Sequence, residues 1–249
     1  MQDYLNCAMD IGEQLLINGA EVHRVEDTIK RLCKAFGFFR TDVFIITSSM
    51  VVTVHDDKGS QTQTRRIIAT GTNIEKLHQL NDLSRRICSS SMTLDAIQKE
   101  FNCITSLKRY PFWTECVAYA VIAAAFTLFF GGDFLESIVS GVISFLIRLV
   151  IFFEEKASLN LIFIKFSCCF FATLLSSFLM KAGVVHAVDK IIVGNIMTLI
   201  PGIGLTNSLR DLFTGDNIAG LLRLIESVLT ALAIAAGYFV AVFLLRGVL

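Results

Sequence analysis

Five long apolar runs in residues 111–249 restrict how this 249-residue chain can fold. A segment needs about 17–25 predominantly apolar residues to cross a hydrocarbon core of about 30 Å. We predict spans at about residues 112–130, 134–153, 161–180, 191–209 and 218–245, the fourth being the weakest. Because lipid-exposed backbone must satisfy its own hydrogen bonds, these runs predict an all-α polytopic membrane domain of about five helices at residues 110–249.

Charged residues are concentrated in the other part of the chain. Residues 1–110 carry 27 of the 44 Asp, Glu, Lys and Arg residues, although they make up less than half of the sequence. This part therefore has the composition of an ordinary soluble domain. The formal net charge is zero, which argues against a uniform field that would attract nucleic acid, so no nucleic-acid partner is expected.

Residues 1–109 show helical periodicity, then alternation, then helical periodicity again. The pattern predicts an α+β domain with helices at Asp3–Ile17, Glu21–Phe36, Asn73–Ser89 and Thr93–Ser106, and strands at Val43–Thr47, Met50–His55 and Thr62–Thr70. Asp56–Gly59 is predicted to be a turn. Lys99, Lys108 and Arg109 precede the first span, and Lys156 lies between the second and third. By the positive-inside rule, the α+β domain is cytoplasmic and the carboxyl terminus lies outside the plasma membrane.

The fourth run is interrupted by Pro201, with Gly202 and Gly204 behind it. Proline removes a helical hydrogen bond, and a broken helix in a membrane persists only where protein or a water-filled cavity satisfies the freed groups. Such a break can present backbone N–H groups to an anion. We therefore predict a site for a solute carboxylate here, although a purely structural kink is the alternative. Its residues are Asn195, Thr198, Pro201, Gly202, Gly204, Thr206, Asn207 and Arg210.

Charged residues beside or inside the spans need partners or water, because a charge at the bilayer centre is costly. Asp216, Gly220, Arg223 and Ser227 are spaced to share one helix face, and Glu226 lies three residues from Arg223. We predict a charge network here, with the alternative that these positions serve packing between helices and that the cations only reach the membrane surface. The network consists of Asp211, Asp216, Arg223, Glu226 and Arg148.

Seven cysteines form no Cys-x-x-Cys pair and no metal-ligand spacing, so reduced thiols are expected. The chain also has no phosphate-binding glycine loop and no hydrolase or zinc-protease signature. We predict that the protein has no cofactor, no metal and no enzymatic activity.

Two motifs resemble those of a known family. The stretch Gly19-Ala20-Glu21-Val22-His23-Arg24-Val25-Glu26 resembles the opening motif of the threonine/serine exporter family, and Pro201-Gly202-x-x-Leu205-x-Asn207-x-x-Arg210-Asp211 resembles its most recognisable membrane motif. Tyr110-Pro111-Phe112-Trp113 and Gly131-Gly132 also fit the family, so the resemblance covers nearly the whole chain.

The resemblance implies a cytoplasmic domain followed by membrane helices, and export of small hydrophilic solutes. The chain resembles the split form of the family, in which a second small membrane subunit supplies the other membrane half, so a hetero- or homo-oligomer is expected. Split pairs are associated with dicarboxylates such as succinate, and fused members with threonine and serine. The solute is therefore left open between these classes.

Two other functions compete with export. One is a membrane-anchored hydrolase that would use Glu21, His23, Arg24 and Glu26, although the spacing places no nucleophile beside a base. The other is a sensor or scaffold, in which the cytoplasmic domain binds a solute or a partner. The candidate motif residues of the cytoplasmic domain are Gly19, Glu21, Arg24 and Glu26.

Overall fold

A computed structural model describes residues 2–57, 59–68, 71–90, 92–108 and 110–245. The chain divides into two compact units. One, which we call the N-terminal unit, consists of Met1–Lys108 together with Ile203–Ile225. The other, the helical unit, consists of Arg109–Gly202 together with Glu226–Leu249. Arg109 and residues 246–249 lie outside the described residues.

The first part of the N-terminal unit is an α+β arrangement. Its three strands form an antiparallel sheet in the order β1-β2-β3. The described elements are α1 (Gln2–Ile17), α2 (Val22–Ala35), β1 (Arg40–Ile46), β2 (Ser49–Asp56), β3 (Gly59–Arg66), α3 (Ile74–Ser89) and α4 (Leu94–Thr105). The chain is thus mostly helical, with a small sheet near its amino terminus.

The core of this unit combines the apolar faces of α1 and α2 with one face of β2. Val25 and Ile29 of α2 are fully buried, as are Met50 and Val52, which alternate along β2. Gly12 of α1 permits the closest approach, since a Cβ there would lie 2.6 Å from Cδ1 of Ile29. The period of 3.6 residues in α2 and of 2 in β2 predicts these faces from sequence.

The third strand differs from the predicted Thr62–Thr70. It begins at Gly59 and ends at Arg66, because Asp56 still pairs with Gly59 and the predicted four-residue turn is shorter. Residues 69 and 70, and Lys58 of the predicted turn, lie outside the described residues. The polar side chains of β3 reach α1, where Arg65 Nη2 donates to Asp10 Oδ1 at 2.9 Å.

The N-terminal unit also includes α9 (Gly202–Thr214) from Ile203 onward and the start of α10 (Asn217–Leu245), up to Ile225. This division differs from the boundary after residue 109 that the sequence predicts. The predicted fourth span is interrupted between Met197 and Gly202, where the helix bends by 57°. Pro201 explains the interruption, because it cannot donate a backbone hydrogen bond.

The helical unit is built from α5 (Phe112–Phe129), α6 (Phe134–Lys156), α7 (Leu161–Lys181), α8 (Val188–Met197) and the part of α10 from Glu226. Within the described residues, four helices are long and apolar enough to cross a membrane: α5, α6, α7 and α10. The bent pair of α8 and α9 would make a fifth if it counts as one span.

An acidic side chain fixes the start of α6. Asp133 and Glu136 form a reciprocal capping box, and the side chain of Glu136 is buried. Its second oxygen accepts a hydrogen bond from the backbone N–H of Ala187 at 2.6 Å, just before α8. Burial of a carboxylate is tolerated here because both oxygens accept backbone hydrogen bonds.

Small and hydroxyl-bearing side chains allow α5, α6 and α8 to pack closely. The hydroxyls of Ser137 and Ser140 donate to the carbonyls of Ala124 and Ala123 on α5. A Cβ at Gly194 of α8 would lie 2.9 Å from the Ala123 carbonyl oxygen and would overlap the Thr127 hydroxyl. Small residues at helix contacts are the expected means of association in lipid.

We expect Gly194→Ala to separate α8 from α5 and to lower stability by about 1–3 kcal/mol, the usual cost of overpacking. Thermal unfolding of the purified protein in detergent measures this change. Gly202→Ala is the matched control, because nothing lies within 4 Å of a Cβ at that position. Equal melting temperatures for both variants would contradict the close contact.

Candidate functional site

The turn between α1 and α2 has a conformation that only glycine adopts easily. Gly19 has φ +96°, and a Cβ there would lie 2.9 Å from the carbonyl oxygen of Gly71. The loop around Gly71 holds the end of α1, since Gly71 N–H donates to the carbonyl of Ile17 at 2.8 Å. The Gly19 of the sequence motif is therefore required by both backbone angle and space.

Asp211 of α9 is the most buried carboxylate of this unit, with no exposed surface. Its Oδ1 accepts a hydrogen bond from the backbone N–H of Val22 at 3.2 Å, at the start of α2. Its Oδ2 lies 3.1 Å from Nη1 of Arg223 on α10. Nη2 of Arg223 in turn donates to the carbonyl of Ala20 at 3.3 Å.

Two further side chains of α9 contact the same turn. Nδ2 of Asn207 donates to the carbonyl of Gly19 at 3.1 Å, and Arg210 forms an ion pair with Glu21. The Arg210 side chain is 56% exposed, whereas that of Glu21 is only 12% exposed. We call this group of residues the turn cluster: Gly19, Ala20, Glu21, Val22, Asn207, Arg210, Asp211 and Arg223.

Local geometry explains why α9 and α10 supply these groups. Asn207, Arg210 and Asp211 are spaced by three and four residues, which places them on one face of a helix. Gly220 then lets α10 approach α9, because a Cβ there would lie 3.0 Å from the Ser208 carbonyl oxygen. The two sequence motifs singled out above thus contact each other within the N-terminal unit.

The sequence predicts that Asp216 shares one helix face with Gly220 and Arg223. In the structure Asp216 lies just before α10 and not on it. Gly215 has φ +98° and follows the end of α9, so Asp216 sits in the connection. Its Oδ2 is buried and has no hydrogen-bond partner among the described residues. The charge of Asp216 also acts on Glu26 of α2. Burial raises the pKa of Glu26, and the charge of Asp216 raises it further. Lys30, whose Nζ lies 3.5 Å from Oε2 of Glu26, lowers this pKa.

A small cavity of about 140 Å³ adjoins the turn cluster. Ile203 and Asn207 of α9 line it, together with the turn and with polar side chains of α2 and α3 that include Arg24, Thr28 and Asn81. A water occupies about 30 Å³, so this cavity has room for a few small groups only.

The predicted site residues of the helical unit are arranged differently. Asn195 is fully buried, and its Nδ2 donates to the Ser140 hydroxyl at 3.0 Å and to the Ile191 carbonyl. Its Oδ1 has no hydrogen-bond partner among the described residues. Thr198 donates its hydroxyl back to the Asn195 carbonyl at 2.7 Å. Of the residues predicted for the carboxylate site, Asn195 and Thr198 belong to the helical unit, and Asn207 and Arg210 belong to the N-terminal unit.

Arg148 of α6 has a partner that the sequence did not indicate. Its Nε donates to Glu115 on α5 at 3.0 Å, and its guanidinium lies 5.5 Å from the centre of the Phe112 ring. Glu115 and Glu136 were missed because each is a single acid at the start of an apolar run. Their position in the first turn of a helix was the available signal. Glu226, the last predicted network residue, lies on the part of α10 in the helical unit.

The described residues place no group of three or more His, Cys, Asp and Glu side chains for a metal ion. All seven cysteines are free thiols. Cys88 and Cys103 are exposed, and the other five are buried.

A comparison with protein families gives a match over nearly the whole chain. A family model described as "Putative threonine/serine exporter" matches residues 6–245. The chain therefore belongs to the threonine/serine exporter family. Together with its membrane-capable helices, this makes it a multi-pass membrane protein of a transporter family.

Curated relatives differ in how much of their length the chain covers. It is 24% identical to the "Threonine/serine exporter" of Corynebacterium glutamicum, covering 94% of this chain but 49% of that protein. It is also 24% identical to the "Probable succinate transporter subunit YjjP" of Klebsiella aerogenes, covering 98% of this chain and 93% of that protein. The Escherichia coli protein of the same name is 24% identical over 94% of this chain and 92% of its own length. No solved structure matches the chain.

We expect Asp211→Ala to destabilise the protein by about 3–5 kcal/mol, because it removes the buried carboxylate of an ion pair whose arginine is also poorly exposed. Thermal unfolding of the full chain in detergent measures the loss. Arg40→Ala is the control, since Arg40 and Asp42 form an exposed pair of the kind that contributes about 0–1 kcal/mol. Similar losses for both variants would contradict the central role of Asp211.

We expect Glu26→Gln to gain stability relative to the natural protein as the pH rises above about 4.3, the ordinary Glu value. The raised pKa of Glu26 means that the folded chain keeps a proton that the unfolded chain has released. Ionisation of Glu26 therefore costs stability, and glutamine removes that cost. Denaturant unfolding of both proteins from pH 4 to 8 provides the measurement, and a stability difference that shrinks with rising pH would contradict it.

Proposed function

We propose that the chain is one subunit of a secondary exporter in the plasma membrane, which moves a small carboxylate-bearing solute outward. Family membership and the membrane-capable helices support this proposal. The observation that carries it is the turn cluster, in which both motifs of the exporter family supply interacting residues. The N-terminal unit would face the cytoplasm, where the solute is collected.

Two relatives of nearly the same length favour a particular form of this function. Both are named as subunits of a succinate transporter, and the chain spans more than nine-tenths of each. We therefore propose a second small membrane subunit and a dicarboxylate solute, with threonine or serine as the alternative that the C. glutamicum relative suggests.

Arg210 and Asn207 are the proposed carboxylate-binding groups of the turn cluster. A guanidinium and an amide N–H can together hold one carboxylate by charge-assisted hydrogen bonds. In this structure Arg210 is paired with the Glu21 carboxylate, and the Asn207 amide donates to the Gly19 carbonyl. The carboxylate of a solute would take the place of the Glu21 carboxylate at Arg210. Because one negative group replaces another, the net charge at Arg210 does not change.

The remaining predicted residues have proposed roles of two kinds. The interrupted segment with Asn195, Thr198, Pro201, Gly202 and Gly204 would offer backbone and side-chain hydrogen bonds along the path. The acids Asp211, Asp216 and Glu226 would carry the coupling proton. Arg148 and Arg223 would supply the positive charges of this network, because arginine stays charged throughout.

Efflux from cells that lack related exporters tests the proposal. We expect cells preloaded with labelled succinate to export it when the chain and the second subunit are produced together, and not when either is produced alone. Labelled threonine and serine, measured in parallel, decide between the solute classes. Absence of efflux for all three solutes in the paired cells would contradict the proposal.

The same assay tests Arg210 through Arg210→Ala, which we expect to abolish efflux while membrane abundance stays normal. Arg40→Ala is matched to it, since both residues are exposed arginines paired with a carboxylate. Normal efflux by Arg210→Ala would remove Arg210 from the solute path.

A further inference from the structure

We propose that the N-terminal unit has a second binding site, a cleft between α2 and α3 that takes a small dianion such as a dicarboxylate or a phosphate ion. The cleft has a volume of about 390 Å³. Sites for small molecules usually measure about 300–1,000 Å³, so the size fits a compact ligand rather than a protein segment.

Three arginines give the cleft its charge. Arg24 and Arg31 of α2 face Arg85 of α3 across it, and Asp27 is the one acidic side chain in its lining. Nε of Arg31 lies 2.8 Å from Asp27, so this pair is neutral as a unit. Two positive charges remain, which matches the charge of a dianion.

Arg24 and Arg85 lack protein partners. Among the described residues, neither side chain forms an ion pair or a hydrogen bond, whereas neighbouring Arg86 pairs with both Asp82 and Glu100. Two guanidinium groups without an acidic partner on one concave surface make it locally positive, which attracts an anion. Their ten N–H donors are also free to bind oxygen atoms.

The polar lining leaves recognition mainly to these arginines. The Thr28 hydroxyl donates to the Arg24 carbonyl, and the Ser84 hydroxyl donates to the Asn81 carbonyl. The amide of Asn81 donates to the Leu77 carbonyl. Because local backbone groups already use these hydrogens, the cleft selects for negative charge more than for shape. Succinate and phosphate are therefore expected to compete for it.

The cleft is separate from the turn cluster but touches its surroundings. Arg24 lines both the cleft and the small cavity beside the turn. A dianion in the cleft would therefore bind a residue only three positions after Glu21. Binding itself does not depend on the proposed export function, so each can fail without the other.

Two exposed cysteines allow binding and its control to be measured in the same protein. Cys88 lines the cleft, and Cys103 is an exposed thiol on α4 that does not line it. We expect succinate or phosphate to slow the alkylation of Cys88 several-fold without slowing that of Cys103. The full chain is placed in nanodiscs of neutral lipid, and each peptide is followed by mass spectrometry over a concentration series.

Variants connect the protection to the arginines. Arg24→Gln and Arg85→Gln should each weaken binding roughly 10- to 100-fold, the loss expected for one charged hydrogen-bonding partner. Arg66→Gln, an exposed arginine of β3 outside the cleft, should leave binding unchanged. Protection that survives Arg85→Gln would overturn the proposal.

Two further measurements identify which kind of anion the cleft binds. Acetate at equal ionic strength should protect Cys88 far less than succinate, and equal protection would overturn the selection for a dianion. Protection that occurs only in nanodiscs with anionic lipid, and never with soluble succinate or phosphate, would also overturn it. Such a result would assign the cleft to lipid headgroups.

Discussion

The buried carboxylate of Asp211 is the interaction on which the N-terminal unit depends. It accepts a hydrogen bond from the first helical residue of α2 and an ion pair from Arg223, so one side chain holds α2, α9 and α10. Removing a charge from water is expensive, and the cost is offset only when every lone pair finds a donor. The loop around Gly19 must therefore keep its shape, because Arg223 also needs the Ala20 carbonyl.

Much of this architecture could be predicted from local pattern. The apolar face of α2, the alternation in β2 and the interruption at Pro201 all follow from residue spacing or from backbone chemistry, and each is present in the structure. The partner of Asp211 could not be found in this way, since Val22 lies 189 residues away in sequence. Periodicity within one helix shows which face is polar, but it does not show what that face contacts.

The helical unit shows the same limit. Gly194 of α8 and Ser140 of α6 lie against α5. The sequence did not indicate that Glu115 neutralises Arg148, or that Glu136 accepts from the start of α8. A single acid at the start of a span is ambiguous, because it can face water, cap its own helix or pair with a neighbouring helix.

The two ion pairs of the turn cluster differ in strength, and the difference suggests how the cluster could act. Arg210 keeps an exposed guanidinium that water can hydrate when the pair opens, whereas breaking a buried pair costs about 3–5 kcal/mol. Arg210 can therefore release Glu21 while Asp211 keeps Arg223 and the turn in place. Exchange of one carboxylate for another at Arg210 would then leave the fold intact, which a repeatedly used binding site requires.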